Sequence, residues 1–283
     1  MRKMNKLLVV ALVFVLVVGM TGMVFADDYD NEAWIKQDNT AQPDSVLTAN
    51  INQEGSSHEA GISQLADGSF MNPSLTANIT QEGTSQTANI SQDINLGYFT
   101  NANITQLVKG NVATINQNGR TSVASIFQNG ENNTAHQNIT HMGSSGSESH
   151  STIRQEGDGN TATQFQNTPA WNSSFTTITQ DGNNNTASTY QNLNHGSYSP
   201  SRVRINQIGD SNSASIRQED VENEAYIYQN GDNNTATQNQ FGAGNWSNIN
   251  QNGNSNTATV VQNSDNNKAS IDQDGDGNTA IIN

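Results

Sequence analysis

A chain of 283 residues could make one or two ordinary domains, but only 32% of it is hydrophobic and its mean hydropathy is −0.68, too little apolar material for a globular core of that size. A formal charge of −15 without a basic cluster argues against phosphate and nucleic-acid recognition, and the absence of cysteine excludes a disulfide framework. What remains is rich in Asn, Gln, Ser, Thr and Gly, a composition that describes a disordered chain unless it is ordered by repetition.

The first segment reads as an export signal. Arg2, Lys3 and Lys6 precede an apolar run from Leu7 to Val18, and Val24-Phe25-Ala26 supplies the small residue of a cleavage site. The run is interrupted by Gly19, Thr21 and Gly22, which makes it short for a membrane span. Cleavage after Ala26 is expected to remove residues 1–26 and shift the charge from −15 to −18. Residues 27–46 hold one partial repeat, and residues 47–283 are expected to form a single repeat array.

The array is marked by Gln at the end of successive A-x-I-x-Q units: Gln37, Gln53, Gln64, Gln81, Gln92, Gln106, Gln117 and Gln128. Ile139 takes the next place, and Gln155, Gln166, Gln180, Gln191, Gln207, Gln218, Gln229, Gln240, Gln251, Gln262 and Gln273 follow. The base spacing is 11, and six longer spacings of 14 to 17 all fall in alternate gaps. Two units therefore make one rung with one turn of fixed length and one that accepts insertions. Each unit alternates with period two, as in Ser174-Phe175-Thr176-Thr177-Ile178-Thr179-Gln180, which predicts a strand with one buried face. The expected fold is all-β, a two-strands-per-rung β-solenoid of about ten rungs, roughly 48 Å tall at a strand spacing of ~4.8 Å.

The strands before the short turn carry an unbroken Ile column at Ile51, Ile79, Ile104, Ile126, Ile153, Ile178, Ile205, Ile227, Ile249 and Ile271. The opposite column loosens to Gln137, Gln164, Thr189, Gln238 and Val260. The short turn reads Q-x-G-x-x-N-x-A, with turn glycines including Gly157, Gly182, Gly209, Gly231, Gly253 and Gly275, where a tight reversal needs positive φ. Val108 stands at that glycine place after Gln106, so an altered or weaker turn is expected there. A buried amide without partners costs a few kcal/mol, but amides stacked rung on rung can donate to one neighbour and accept from the other.

Ser149…Gln155…Asn160…Gln166, Ser174…Gln180…Asn185…Gln191 and Ser201…Gln207…Asn212…Gln218 each fit S-x5-Q-x-G-x-x-N-x-A-x3-Q. This pattern resembles the curlin repeat. The rungs with Gln229, Asn234 and Gln240, and with Gln251, Asn256 and Gln262, keep the Gln and Asn places but begin with Asn223 and Asn245. Asn267 likewise opens the final rung, while His58 and Gln86 replace the turn Asn in early rungs. The resemblance implies a secreted bacterial fibre subunit of curli, built from stacked strand-turn-strand rungs. It also implies a secretion channel and a companion nucleator subunit.

The expected function is structural: a secreted, extracellular protein that self-assembles head to tail into amyloid fibres of a biofilm matrix, with no enzyme activity, cofactor, nucleic acid or small-molecule substrate. The last strand, Asn278–Asn283, is in frame, and its Ile281 and Ile282 are the expected docking edge for the next copy. The alternative is a monomeric adhesin or fibre nucleator that binds through insertion loops at Asp38–Leu47, Leu65–Leu75, Thr140–Ser149 and Asn192–Ser201. An ice-binding surface would need a uniform T-x-T ladder, which the varied outward pairs do not supply. Asp272, Asp274 and Asp276 mimic the start of a calcium loop, but Asn283 stands where the bidentate Glu belongs, so no metal site is expected. The five histidines show no ligand spacing and are expected on loop surfaces, and the outward Phe127, Phe165, Tyr190, Tyr226 and Tyr228 are expected to pack across strands.

Overall fold

The protein is seen here in a computed structural model. It describes residues 20–27, 30–39, 45–67, 73–94, 99–141, 148–168, 172–193 and 200–283. Residues 1–19, which hold most of the expected export signal, lie outside the described residues, as do the middles of the four loops named above.

The odd-numbered strands form one sheet, A. They are β1 (Met20–Asp27), β3 (Val46–Ser56), β5 (Ser74–Thr84), β7 (Phe99–Lys109), β9 (Ser122–Glu131), β11 (Ser149–Glu156), β13 (Ser174–Asp181), β15 (Ser201–Ile208), β17 (Glu224–Asn230), β19 (Trp246–Asn252) and β21 (Lys268–Asp274). The even-numbered strands form sheet B. They are β2 (Glu32–Asn39), β4 (Glu59–Ala66), β6 (Thr87–Ile94), β8 (Val112–Gly119), β10 (Thr134–His141), β12 (Thr161–Thr168), β14 (Thr186–Asn192), β16 (Ser213–Glu219), β18 (Thr235–Gln240), β20 (Thr257–Gln262) and β22 (Thr279–Ile282). Each strand pairs in parallel with the strand two places before and after it, which makes two eleven-stranded sheets and a β-solenoid. The described residues contain no helix.

Register follows the repeat without slippage. Ile153 pairs with Ile178 and Gln155 with Gln180, and the same columns continue through Ile205 and Gln207. A one-residue slip would turn every inward side chain to solvent, so the alternation itself holds the pairing. Along β13 the residues Ser174, Thr176, Ile178 and Gln180 are buried while those between them are not. The Ala and Ile columns of both sheets merge into one narrow core running the length of the solenoid. Leu47, Ala66, Leu75 and Ile94 form a separate small cluster.

Two expectations change here. Sheet A has eleven strands, one more than the ten of the Ile column, because β1 lies across the expected cleavage boundary. Gly22, Val24 and Ala26 take the Ala, Ile and Gln places opposite Ala49, Ile51 and Gln53. Sequence reading missed β1 because it carries no Gln and blends into an apolar run. The turn at Val108 is also not remodelled. Val108 adopts φ 84 and Gly110 φ 65, and Asn111 still donates to the carbonyls of Leu107 and Gly130 at 2.7 and 2.8 Å. The neighbouring rungs impose the turn on a β-branched residue that disfavours it.

Candidate functional site

The inward Gln residues form two hydrogen-bonded ladders. In sheet A the side-chain amide of each Gln donates to the side-chain carbonyl of the next. The chain runs from Gln53 to Gln81 at 3.0 Å, through Gln106, Gln128, Gln155, Gln180, Gln207, Gln229 and Gln251, and ends on Gln273 at 2.9 Å. Every bond points the same way. The second N–H of each amide crosses to sheet B, as Gln155 does to the carbonyl of Thr134 at 3.1 Å and Gln180 to that of Thr161 at 3.1 Å. The same side chains thus tie rung to rung and sheet to sheet.

Sheet B carries the matching ladder from Gln37 through Gln64 and Gln92 to Gln117, with each step at 2.8 Å. It resumes from Gln166 through Gln191, Gln218 and Gln240 to Gln262. Ile139 interrupts it, and the carbonyl oxygen of Gln166 is buried without a partner. That orphan is the local cost of one missing amide.

A third ladder runs along the short turn. The side-chain carbonyl of each Asn accepts from the backbone N–H of the Asn one rung on, from Asn111 through Asn133, Asn160, Asn185, Asn212, Asn234 and Asn256 to Asn278, at 2.9 to 3.0 Å. The amide of Asn185 donates to the carbonyl of Gly209 at 2.7 Å, and that of Asn160 does the same to Gly182. The nine short-turn glycines from Gly55 to Gly275 all have positive φ. A Cβ on Gly182 would lie 2.1 Å from the Gly209 carbonyl oxygen, so the stack needs glycine for clearance as well as for φ.

Sequence reading placed Asn223, Asn245 and Asn267 as substitutes for the leading Ser. They have a sharper role: the backbone N–H groups of Asn245 and Asn267 donate to the preceding Asn at 2.9 Å, a second Asn ladder on the opposite edge. The signal was present, since Gln218…Asn223, Gln240…Asn245 and Gln262…Asn267 repeat the five-residue spacing of the short turn. The buried Ser149, Ser174 and Ser201 also line the interior; Ser149 bonds to His141 at 2.6 Å and Ser174 donates to Gln191 at 2.6 Å.

Two histidines depart from expectation. His58 is buried at the turn Asn place. Its Nδ1 accepts from the Gln86 N–H at 3.4 Å, and its Nε2 faces the Glu54 carbonyl at 3.1 Å, a pair of roles that only a neutral ring can play. Burial holds its pKa below the ordinary value, against the carbonyls of Glu54 and Gly83. His141 is buried at the end of β10, and burial, aided by the Arg120 charge, lowers its pKa to about 4. Among the described residues no group of His, Asp or Glu is arranged to hold a metal ion.

The outward aromatics pack along the sheets. Phe165 stacks on Tyr190 with centroids 4.9 Å apart, Arg217 lies over Tyr190 at 5.4 Å, and Arg154 covers Phe127 at 4.9 Å. Interior polarity is matched between sheets as well. Gln137 and Gln164 replace Ile in sheet B, and Ser151 stands across from them in sheet A and donates to Gln164.

Eleven parallel half-rungs in each of two sheets, joined by directional amide ladders, define a polar-core β-solenoid. The sequence profile of the curlin associated repeat matches residues 172–219 and 253–283, so these segments carry the curlin repeat. No curated protein sequence matches it. The rung geometry of the matched segments continues through earlier unmatched ones, because the sheet A strands β3 to β11 keep the same columns and the same Gln bonds.

Proposed function

We propose that this chain is a secreted structural subunit that assembles end to end into amyloid fibres of the curli type, in a biofilm matrix or at the cell surface. One observation carries this reading: the sheet A ladder is a single unbroken run of amides pointing one way, a polar core that is stable only by repetition. Nothing in such a ladder fixes its length, so a second copy extends it with the bonds already in use. The curlin repeat supports the same role, since it is a structural repeat. A secretion channel and a nucleator subunit are the partners that the family implies.

Electron microscopy of the processed chain, sampled from desalting through several days, tests the proposal. Unbranched, detergent-resistant fibres are the expected result. Persistent single particles about 50 Å long would refute spontaneous assembly and leave the solenoid intact.

A further inference from the structure

We propose that β1 is a removable cap, and that cleavage after Ala26 opens the edge of β3 as a docking surface for the β21 strand of a second copy. The inference rests on the self-assembly reading above. It starts from one atom. In sheet A the side-chain carbonyl of every Gln from Gln81 onward accepts a bond from the Gln one rung earlier. The carbonyl of Gln53 is buried and has no partner. The residue in register beneath it is Ala26, where every later rung of this sheet has a Gln.

β1 therefore covers the start of the ladder without completing it. Its backbone pairs with β3 over eight residues, and Val24 packs against the core. A Cβ on Gly22 would lie 3.5 Å from the Ile35 side chain, an ordinary contact that glycine leaves unmade. Cleavage between Ala26 and Asp27 would take away β1 and leave β2 in place. β2 is held by eight pairs to β4, and Asn31 keeps its bonds to the Gly55 carbonyl and the His58 N–H, both 2.9 Å. The result is a notch one strand wide beside β2, floored by the bare edge of β3 and the unpartnered acceptor of Gln53.

β21 has the complementary chemistry. It is parallel and carries the same columns, so that Ile271 meets Ile51 and Gln273 meets Gln53. Each earlier sheet A amide donates twice, once across to sheet B and once forward. Gln273 makes the crossing bond to the Thr257 carbonyl at 3.0 Å, and among the described residues it makes no forward bond. Asp272 accepts from Asn250 at 2.9 Å and would meet another amide, Asn52, across the junction. In sheet B the incoming β22 and the resident β2 compete for one place. β22 pairs through only four residues, and it is the strand that yields.

The chain has no cysteine, so Asn52→Cys and Asp272→Cys can be placed on separate full chains. Both positions face outward, and in-register parallel strands bring such residues to a Cα spacing a disulfide accepts. The two chains are mixed under mild oxidation before and after cleavage by signal peptidase. The expected result is at least ten-fold more disulfide-linked heterodimer after cleavage. Val24→Lys in the uncleaved chain, which sets a charge against the core, is expected to undock β1 and give the cross-link without proteolysis. Equal cross-linking before and after cleavage would overturn the cap. Fibres without the cross-link would overturn this junction alone, and absence of both would overturn the self-assembly reading with it.

Discussion

Gln180→Leu tests the ladder where it is most regular. The wild-type side chain donates to Gln207 at 2.9 Å and to the Thr161 carbonyl at 3.1 Å, and accepts from Gln155 at 2.8 Å. Leucine strands all three partners in a fully buried interior. At about 1 to 2 kcal/mol for each buried group left unmade, the loss is about 3 to 6 kcal/mol. Burial of the leucine returns about 2 kcal/mol, so the net destabilisation is about 1 to 4 kcal/mol. Hydrogen exchange of the processed chain, read rung by rung, measures it. Amides of β11, β13 and β15 should exchange about 5- to 1000-fold faster, while distant rungs change little, because each rung contacts only its neighbours. Thr179→Leu, facing outward on the same strand, should stay within about 0.5 kcal/mol of wild type. Unchanged exchange at Gln155 and Gln207, or a loss spread evenly over the solenoid, would refute the claim that the amides act as a load-sharing chain.

Val108→Gly should stabilise the chain by about 1 kcal/mol, since it relieves a left-handed β-branched residue that is 44% exposed and gives up little packing; a lower thermal midpoint would contradict this. Acid should weaken the fold through His141. Its folded pKa of about 4 lies below the ordinary 6.5, so its contribution is complete above pH 6.5 and is lost as pH falls toward 4, by about 3 kcal/mol at the bottom of that window. His58 acts in the same direction, and a double His58→Asn, His141→Gln chain should show a flatter denaturation midpoint across pH 7 to 4. Arg154→Ala, which removes a half-exposed contact over Phe127 and an ion pair to Glu156, should cost less than about 1 kcal/mol by thermal melting.

Much of this architecture is legible in the sequence because a solenoid converts period directly into contact. The parity of the insertions predicts two turns per rung, and the Ile column predicts one face of the core. Both follow from side-chain alternation, which has no long-range ambiguity when every strand pairs with its own copy. Ladder direction is not legible, since Gln reads the same whichever way its amide points. Nor is the rescue of the turn at Val108, where the stacked carbonyls of the adjoining rungs overrule a local preference. His58 reads as a surface histidine until its neighbours show that a neutral imidazole can donate and accept across a rung as Asn does. Ile139 reads as a conservative filler, and only the orphaned carbonyl of Gln166 shows what its presence costs.

For the proposed fibres, the short-turn edge has a consequence for how two of them meet side by side. Along it the Glu131, Asp158, Asn183, Asp210 and Asp232 backbone N–H groups donate to the carboxylate or amide of Asp158, Asn183, Asp210, Asp232 and Asn254 in turn. The backbone dipoles are thereby used up and the outer carboxylate charge faces water, repeated on about two rungs of every three. Two such edges repel over roughly 8 Å at physiological salt. Bundling of such fibres would be directed away from this edge, toward the sheet faces or the opposite turns, and cations that screen or bridge the carboxylates would set how thick a cable becomes.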